Sequence, residues 1–137
     1  MVCFFLECSR TLVNRKYSEL ITPAVRGTTS ILNSALKHGS TVKRFILTSS
    51  AVAILEPTPV PRAFTENDWN NAAVEAVKTK GSAAGSVTIY LASKTIAEKA
   101  AWDFINAHQS LPWDFVVLNP PFIFGASLFF LLPYPQS

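Results

Sequence analysis

The sequence is poor in the residues that build metal centres, disulfide frameworks and basic binding surfaces. Its 137 residues include only two cysteines and two histidines, and Cys3 and Cys8 have no further ligands at metal-binding spacing. This pattern argues against a bound metal or a disulfide framework, and it favours a reducing, cytoplasmic compartment. The net charge is +3 and the basic residues are scattered along the chain, which predicts neither nucleic acid nor membrane as a partner.

Long hydrophobic runs are also missing. The apolar segment 122–132 falls short of the ~20 residues that a membrane-spanning helix needs, and the segment 1–6 lacks the basic leader of a signal peptide. What the chain does have is 49% hydrophobic and 15% charged residues. These proportions are typical of a globular protein with a single core.

Helical and extended patterns alternate along the chain. Helices are predicted from Pro23 to His38 with Thr22 as the cap, over 70–80, and from Tyr90 to Ala107. Short apolar runs predict strands at 3–6, 42–47 and 113–118, and the last two are continuous enough to be buried on both faces. Prolines between 57 and 61 and glycines within 81–86 mark loops. This order predicts an α/β fold with a parallel sheet.

The pair Tyr90 and Lys94 is the first candidate for chemistry. Residues four apart lie on one face of a helix, so the phenol and the ammonium are expected side by side. A phenol has a reference pKa of about 10, and a neighbouring cation lowers that pKa towards the range useful for proton transfer. The spacing alone is weak evidence, because solvated surface pairs at this spacing are common.

Polar residues follow both central strands. Thr48, Ser49 and Ser50 close the first strand, and Asn119-Pro120-Pro121 closes the second. Ligands of open α/β sheets bind outside the carboxyl ends of the strands. A serine hydroxyl there could hold a carbonyl or alcohol oxygen, Tyr90 could exchange the proton on that oxygen, and Lys94 could assist the phenol.

Five blocks in this order resemble the extended short-chain dehydrogenase/reductases, closest to the dihydroflavonol reductase-like and fungal methylglyoxal or aldehyde reductase-like branch. The blocks are Pro23–Leu32, Val42–Ala51, Glu66–Asn70, Tyr90–Trp102 and Asn119–Gly125. Together they are far more specific than Tyr-x-x-x-Lys alone. The resemblance divides the chain into a non-matching segment 1–17, a partial Rossmann domain 18–125 and an apolar tail 126–137. It implies an incomplete Rossmann-like, doubly wound parallel sheet.

The resemblance also implies a reaction and a set of roles. The reaction is the interconversion of a carbonyl and an alcohol of a small molecule with NAD(P)(H), NADP being favoured. By resemblance, Ser50 orients the substrate, Tyr90 is the general acid in reduction, and Lys94 binds the nicotinamide ribose and assists the tyrosine. Ser49, Pro120 and Ile123 match positions near the nicotinamide.

One family feature is absent from the sequence. The family places a turn of the form Gly-x-x-Gly-x-x-Gly after its first strand, where backbone N–H groups hold the cofactor pyrophosphate. None of the five glycines forms that motif. We therefore expect a piece of a reductase that binds NADPH very weakly or not at all and is inactive as an isolated chain. Two alternatives stay open: a non-catalytic remnant or interaction fragment, and a nucleotide-sugar epimerase or dehydratase using the same tyrosine and lysine.

Overall fold

The computed structural model describes residues 2–5, 17–108 and 110–122. Within them the chain forms three strands and three helices, with two short 3-10 turns. The strands are β1 (Val2–Phe5), β2 (Arg44–Thr48) and β3 (Asp114–Leu118); the helices are α1 (Tyr17–His38), α2 (Asn71–Lys80) and α3 (Ser86–Ala107); the turns are Ala51–Ala53 and Gly81–Ala84.

The three strands form one parallel sheet in the order β1-β2-β3. Val2 lies opposite Phe45 in the first pair, and Arg44 lies opposite Asp114 in the second. Parallel strands require a crossover connection, and helices provide it here: α1 joins β1 to β2, and α3 lies on the connection from β2 to β3. The predicted α/β class with a parallel sheet is thus confirmed.

Helices α1 and α3 pack against each other, and side chains of both contact one face of the sheet. The aromatic cluster on that face contains Leu32 from α1, Phe45 and Leu47 from β2, Ala101 from α3, and Trp113. Phe45 lies 5.3 Å from Trp113 between ring centroids, within the range of favourable aromatic pairs. Because alanine takes little space, α3 can approach the sheet closely at this point.

A second cluster joins α1, α2 and the first turns of α3. Its buried members are Leu20, Ile21, Ala73, Val74, Val77, Ile89 and Ala92. Helix α2 is held at its start by Asn70, whose side-chain oxygen accepts a hydrogen bond from the backbone N–H of Ala73. This is the standard N-cap contact, and it places α2 one residue after the predicted start.

Two helix starts differ from the prediction. Helix α1 begins at Tyr17, so Pro23 lies inside it instead of at its first position. Proline removes one helical hydrogen bond but has a φ compatible with a helix, and burial of Leu20 and Ile21 stabilises the earlier turn. Helix α3 begins at Ser86 instead of Tyr90. Gly85 precedes it with φ +86°, a conformation that glycine adopts without strain.

Strand bounds shift by small amounts. The strand predicted at 3–6 is Val2–Phe5, the one at 42–47 is Arg44–Thr48, and the one at 113–118 begins one residue later. The end of α1 is as predicted, at His38. Gly39 follows, and a Cβ added there would lie 2.3 Å from the carbonyl oxygen of Ala35. Only a residue without a side chain fits at that position.

Candidate active site at the carboxyl edge of the sheet

The ends of β2 and β3 stay paired beyond the strands themselves. The backbone N–H of Ser49 donates to the carbonyl of Leu118 at 2.8 Å, and that of Ala51 donates to the carbonyl of Pro120 at 2.9 Å. These bonds hold the two polar segments that the sequence singled out against each other. The predicted meeting of the two strand ends is therefore found in the structure.

Ser50 leads from β2 into the turn Ala51–Ala53. Its backbone is extended, and its Oγ accepts from the N–H of Val52 at 3.5 Å. Ser49 is buried beside it, and its Oγ has no hydrogen-bond partner within the described part of the chain. An unpaired buried hydroxyl is costly, which makes Ser49 a position where a bound polar group would be stabilising.

Tyr90 and Lys94 lie together on α3. The Lys94 Nζ is 5.7 Å from the centroid of the Tyr90 ring, within the distance of a cation–π contact. Tyr90 is half-buried, whereas Lys94 is only 5% exposed. A lysine is seldom this buried on a helix that merely faces solvent, so the solvated surface pair is the weaker interpretation.

Helix α3 is attached to the turn that follows Ser50. The hydroxyl of Thr95, next to Lys94 in sequence, shares its one hydrogen between the carbonyl of Ala53 at 3.3 Å and the carbonyl of Leu91 on its own helix at 3.1 Å. The helix carrying Tyr90 and Lys94 thus lies beside the loop carrying Ser50 at the carboxyl edge of the sheet. Pro120 is at the same edge, and Ile123 lies outside the described residues.

A family model described as NAD_binding_4, Male sterility protein, matches residues 8–129. The match covers most of the chain, including the strand ends and the Tyr90–Lys94 helix. The chain belongs to this NAD-binding family. The five sequence blocks predicted a resemblance to reductases, and the relatives of the chain confirm that prediction.

Two relatives of the chain illustrate the family. Aldehyde reductase 2 of Sporidiobolus salmonicolor is 40% identical over 100 residues, which is 70% of this chain and 29% of that protein. The NADPH-dependent methylglyoxal reductase GRE2 of Saccharomyces cerevisiae is 34% identical over 116 residues, which is 81% of this chain and 32% of that protein. The chain thus spans about a third of the length of the curated relatives it matches.

A solved structure confirms the fold of the chain. The crystal structure of Gre2 from Candida albicans in complex with NADPH superimposes with a TM-score of 0.76 at 30% identity, covering 90% of this chain and 36% of that one.

Two further properties concern the described residues alone. None of their helices combines the length and apolar character needed to cross a bilayer, and they contain no group of three His, Cys, Asp or Glu side chains placed to hold a metal ion.

The carboxyl edge of the sheet suits part of a nicotinamide nucleotide. The hydroxyl of Ser49, unpaired among the described residues, offers a hydrogen bond, and the buried side chain of Lys94 suits a polar, hydroxyl-bearing group. The pyrophosphate of the cofactor has no matching site in this sequence, because the sequence has no Gly-x-x-Gly-x-x-Gly turn. The residues present therefore fit the reactive end of the cofactor better than its phosphates.

Sequence reasoning missed one buried polar residue at this edge. Glu98 follows Lys94 by one turn of α3 and is 3% exposed, and its carboxylate accepts a hydrogen bond from Asn119. The available signal was its spacing from Tyr90 and Lys94, eight and four residues, which places all three on one helix face. Nothing in the local pattern showed that this face is buried.

Proposed function

We propose that the chain supplies the catalytic edge of an NADPH-dependent oxidoreductase that reduces an aldehyde or ketone to an alcohol. The observation that carries the proposal is the buried Lys94 beside Tyr90, on a helix bonded to the turn that follows Ser50. The relatives named as methylglyoxal and aldehyde reductases support the choice of a small carbonyl substrate. The two alternatives from the sequence, a remnant and a sugar epimerase, have no comparable support.

Each side chain has one step in this proposal. Bound NADPH would supply the hydride. Tyr90 donates its phenolic proton to the carbonyl oxygen as that oxygen becomes negative. Lys94 stabilises the resulting phenolate by its charge. Ser50 donates its hydroxyl hydrogen to the same oxygen, and that hydrogen is available because the Oγ acts as the acceptor towards Val52.

The remaining assignments concern the cofactor and the extent of the domain. We propose that Ser49, Tyr90, Lys94, Pro120 and Ile123 hold the nicotinamide end, with NADP preferred over NAD. We assign the reductase domain to residues 18–125, inside the matched range 8–129, and place the enzyme in the cytoplasm.

Loss of NADPH absorbance in the presence of methylglyoxal or isovaleraldehyde tests the activity. The inactivity expected of the isolated chain is attributed to weak cofactor binding, so NADPH is supplied at millimolar concentration, at which turnover should become measurable. Replacing Tyr90→Phe is expected to lower the rate by about 10²–10⁴-fold, the usual contribution of a general acid. Equal rates for the wild type and this variant, with both chains folded by circular dichroism, would contradict the proposed role and favour a remnant.

Titration calorimetry of the polypeptide with NADPH tests the phosphate end separately. We expect a dissociation constant weaker than micromolar, because no glycine-rich turn in this sequence can hold the pyrophosphate at a helix N-terminus. A Lys94→Met control should weaken binding further. A micromolar or tighter dissociation constant for the wild type would contradict this expectation.

A further inference from the structure

Glu98 is a buried carboxylate that the roles proposed above do not use. It lies on α3 one turn after Lys94 and two turns after Tyr90, and its Oε2 accepts a hydrogen bond from Asn119 Nδ2 at 2.7 Å. An isolated buried carboxylate is strongly destabilising, so such groups are normally paired or hydrogen-bonded. Lys94 provides an opposite charge on the same helix face, and Asn119 provides the hydrogen bond.

The amide of Asn119 makes a second bond. Its Nδ2 also donates to the backbone carbonyl of Ser50 at 3.1 Å. A side-chain amide has two N–H hydrogens, and these two bonds use both of them. One amide therefore connects the carboxylate of α3 with the backbone of the residue proposed to orient the substrate.

We propose that Glu98, acting through Asn119, is a positioning residue that fixes the Ser50 backbone relative to the helix of Tyr90 and Lys94. The Glu98–Asn119–Ser50 bridge joins the ends of β2 and β3 to α3 at one point. Proton transfer depends on a correct distance between the hydroxyls of Ser50 and Tyr90 and the substrate oxygen. The role of the bridge in catalysis rests on the function proposed above. Its hydrogen bonds are independent of that function.

A neighbouring contact provides an internal reference. Thr95 donates to the carbonyl of Ala53, three residues after Ser50, and the N–H of Asn70 donates to the same carbonyl at 2.9 Å. The N–H of Ala51, by contrast, donates to Pro120, directly after Asn119. Exchange of the Ala51 amide therefore reports on the bridge, and exchange of the Asn70 amide reports on the Thr95 contact.

The experiment is residue-resolved amide hydrogen exchange by NMR on the 137-residue chain. In Glu98→Ala, the Ala51 amide should exchange about tenfold faster while the Asn70 amide stays unchanged, the size expected for losing one buried bond to a charged acceptor. The isosteric Thr95→Val control should show the reverse pattern. Glu98→Gln keeps an acceptor oxygen, so its Ala51 amide should stay within about threefold of wild type.

Coupling between the two partners gives a second criterion. Asn119→Leu should accelerate exchange of the Ala51 amide at least as much as Glu98→Ala does, because it also removes the bond to Ser50 and leaves the carboxylate without this donor. The double variant should add little to the effect of Asn119→Leu, because both changes act on the same bridge. Three results would overturn the proposal: equal acceleration of Ala51 and Asn70 in Glu98→Ala, no acceleration of either amide, or the same acceleration in Glu98→Gln as in Glu98→Ala. The first of these would show general loosening only.

Activity separates this inference from the proposed function. If the wild-type chain reduces a carbonyl, Glu98→Ala should lower kcat about 100-fold, as a small misplacement of reacting groups does, with the KM for NADPH within about twofold of wild type. Glu98→Gln should recover most of kcat. If the wild-type chain shows no reduction, the proposed function fails for this polypeptide, and the exchange pattern still decides the bridge.

Discussion

Helix α3 buries two sets of residues of opposite character. The polar set lies within residues 93–98 and consists of Ser93, Lys94, Thr95 and Glu98. The apolar set consists of Ile89, Ala92, Ala97 and Ala101, and Ala101 belongs to the aromatic cluster with Phe45 and Trp113. Burying polar groups brings little net stability, whereas burying apolar area contributes about 25 cal/mol per Å².

The two sets have different roles on one helix. The apolar set packs α3 against its neighbours, and Ala101 does so on the sheet, which allows the polar set to keep a lysine and a carboxylate out of water. The polar set fixes the position of the helix: Thr95 and Glu98 each connect to a different point beyond the strand ends, Thr95 directly and Glu98 through Asn119. Substitutions in the apolar clusters should therefore lower stability most, and those in the polar set should mainly change the position of the helix.

The largest expected effect on stability comes from Phe45→Ala. Phe45 is 1% exposed and contacts both Trp113 and Phe115. Removing the ring leaves a cavity that the sheet and helices cannot fill, and the loss should be about 3–5 kcal/mol in urea unfolding. Phe122→Ala is the matched control. Phe122 is 85% exposed, so this variant should change the free energy of unfolding by no more than about 0.5 kcal/mol. Similar losses in both variants would contradict the aromatic cluster as the anchor of α3 on the sheet.

A smaller effect is expected from Ala101→Leu, which tests the close approach of α3 to the sheet. Ala101 is fully buried, and three extra carbon atoms there should force α3 away from the cluster at a cost of about 1–3 kcal/mol. The same substitution at Ala107, exposed in the last turn of α3, serves as control and should be nearly neutral. Thermal unfolding of both variants provides the comparison. An unchanged midpoint for Ala101→Leu would show that α3 is not held closely there.

Local patterns explain which parts of this arrangement were predictable. The contact between Tyr90 and Lys94 follows from helical spacing, and the cap of α2 at Asn70 follows from its residue type, so both could be predicted from sequence. The start of α1 was predicted wrongly because the burial of Leu20, several residues before Pro23, depends on packing against other elements. The burial of Glu98 was missed for the same reason, since its partner lies 21 residues away and meets it only once β3 pairs with β2.

The smallest effect is expected at Asp68, where polar contacts lie on an outer loop instead of inside the protein. The backbone N–H of Thr65 and the guanidinium of Arg62 donate to the carboxylate, and they hold the pKa of Asp68 below its ordinary 3.8. The folded chain thus binds this proton less tightly than the unfolded chain. The resulting stabilisation is present above the unfolded pKa and is lost as the pH falls through the folded pKa.

Unfolding midpoints measured from pH 7 down to about pH 2 test this sign. The difference in unfolding midpoint between wild type and Asp68→Asn should be small at pH 7 and should disappear at the lowest pH. Glu75→Gln is the control, since Glu75 pairs only with exposed Lys78 among the described ion pairs and should show little difference at any pH. If Asp68→Asn lowered stability as much as Phe45→Ala does, the contrast between polar and apolar groups would be wrong. A polar group outside the core would then stabilise the fold as much as the aromatic cluster that anchors α3.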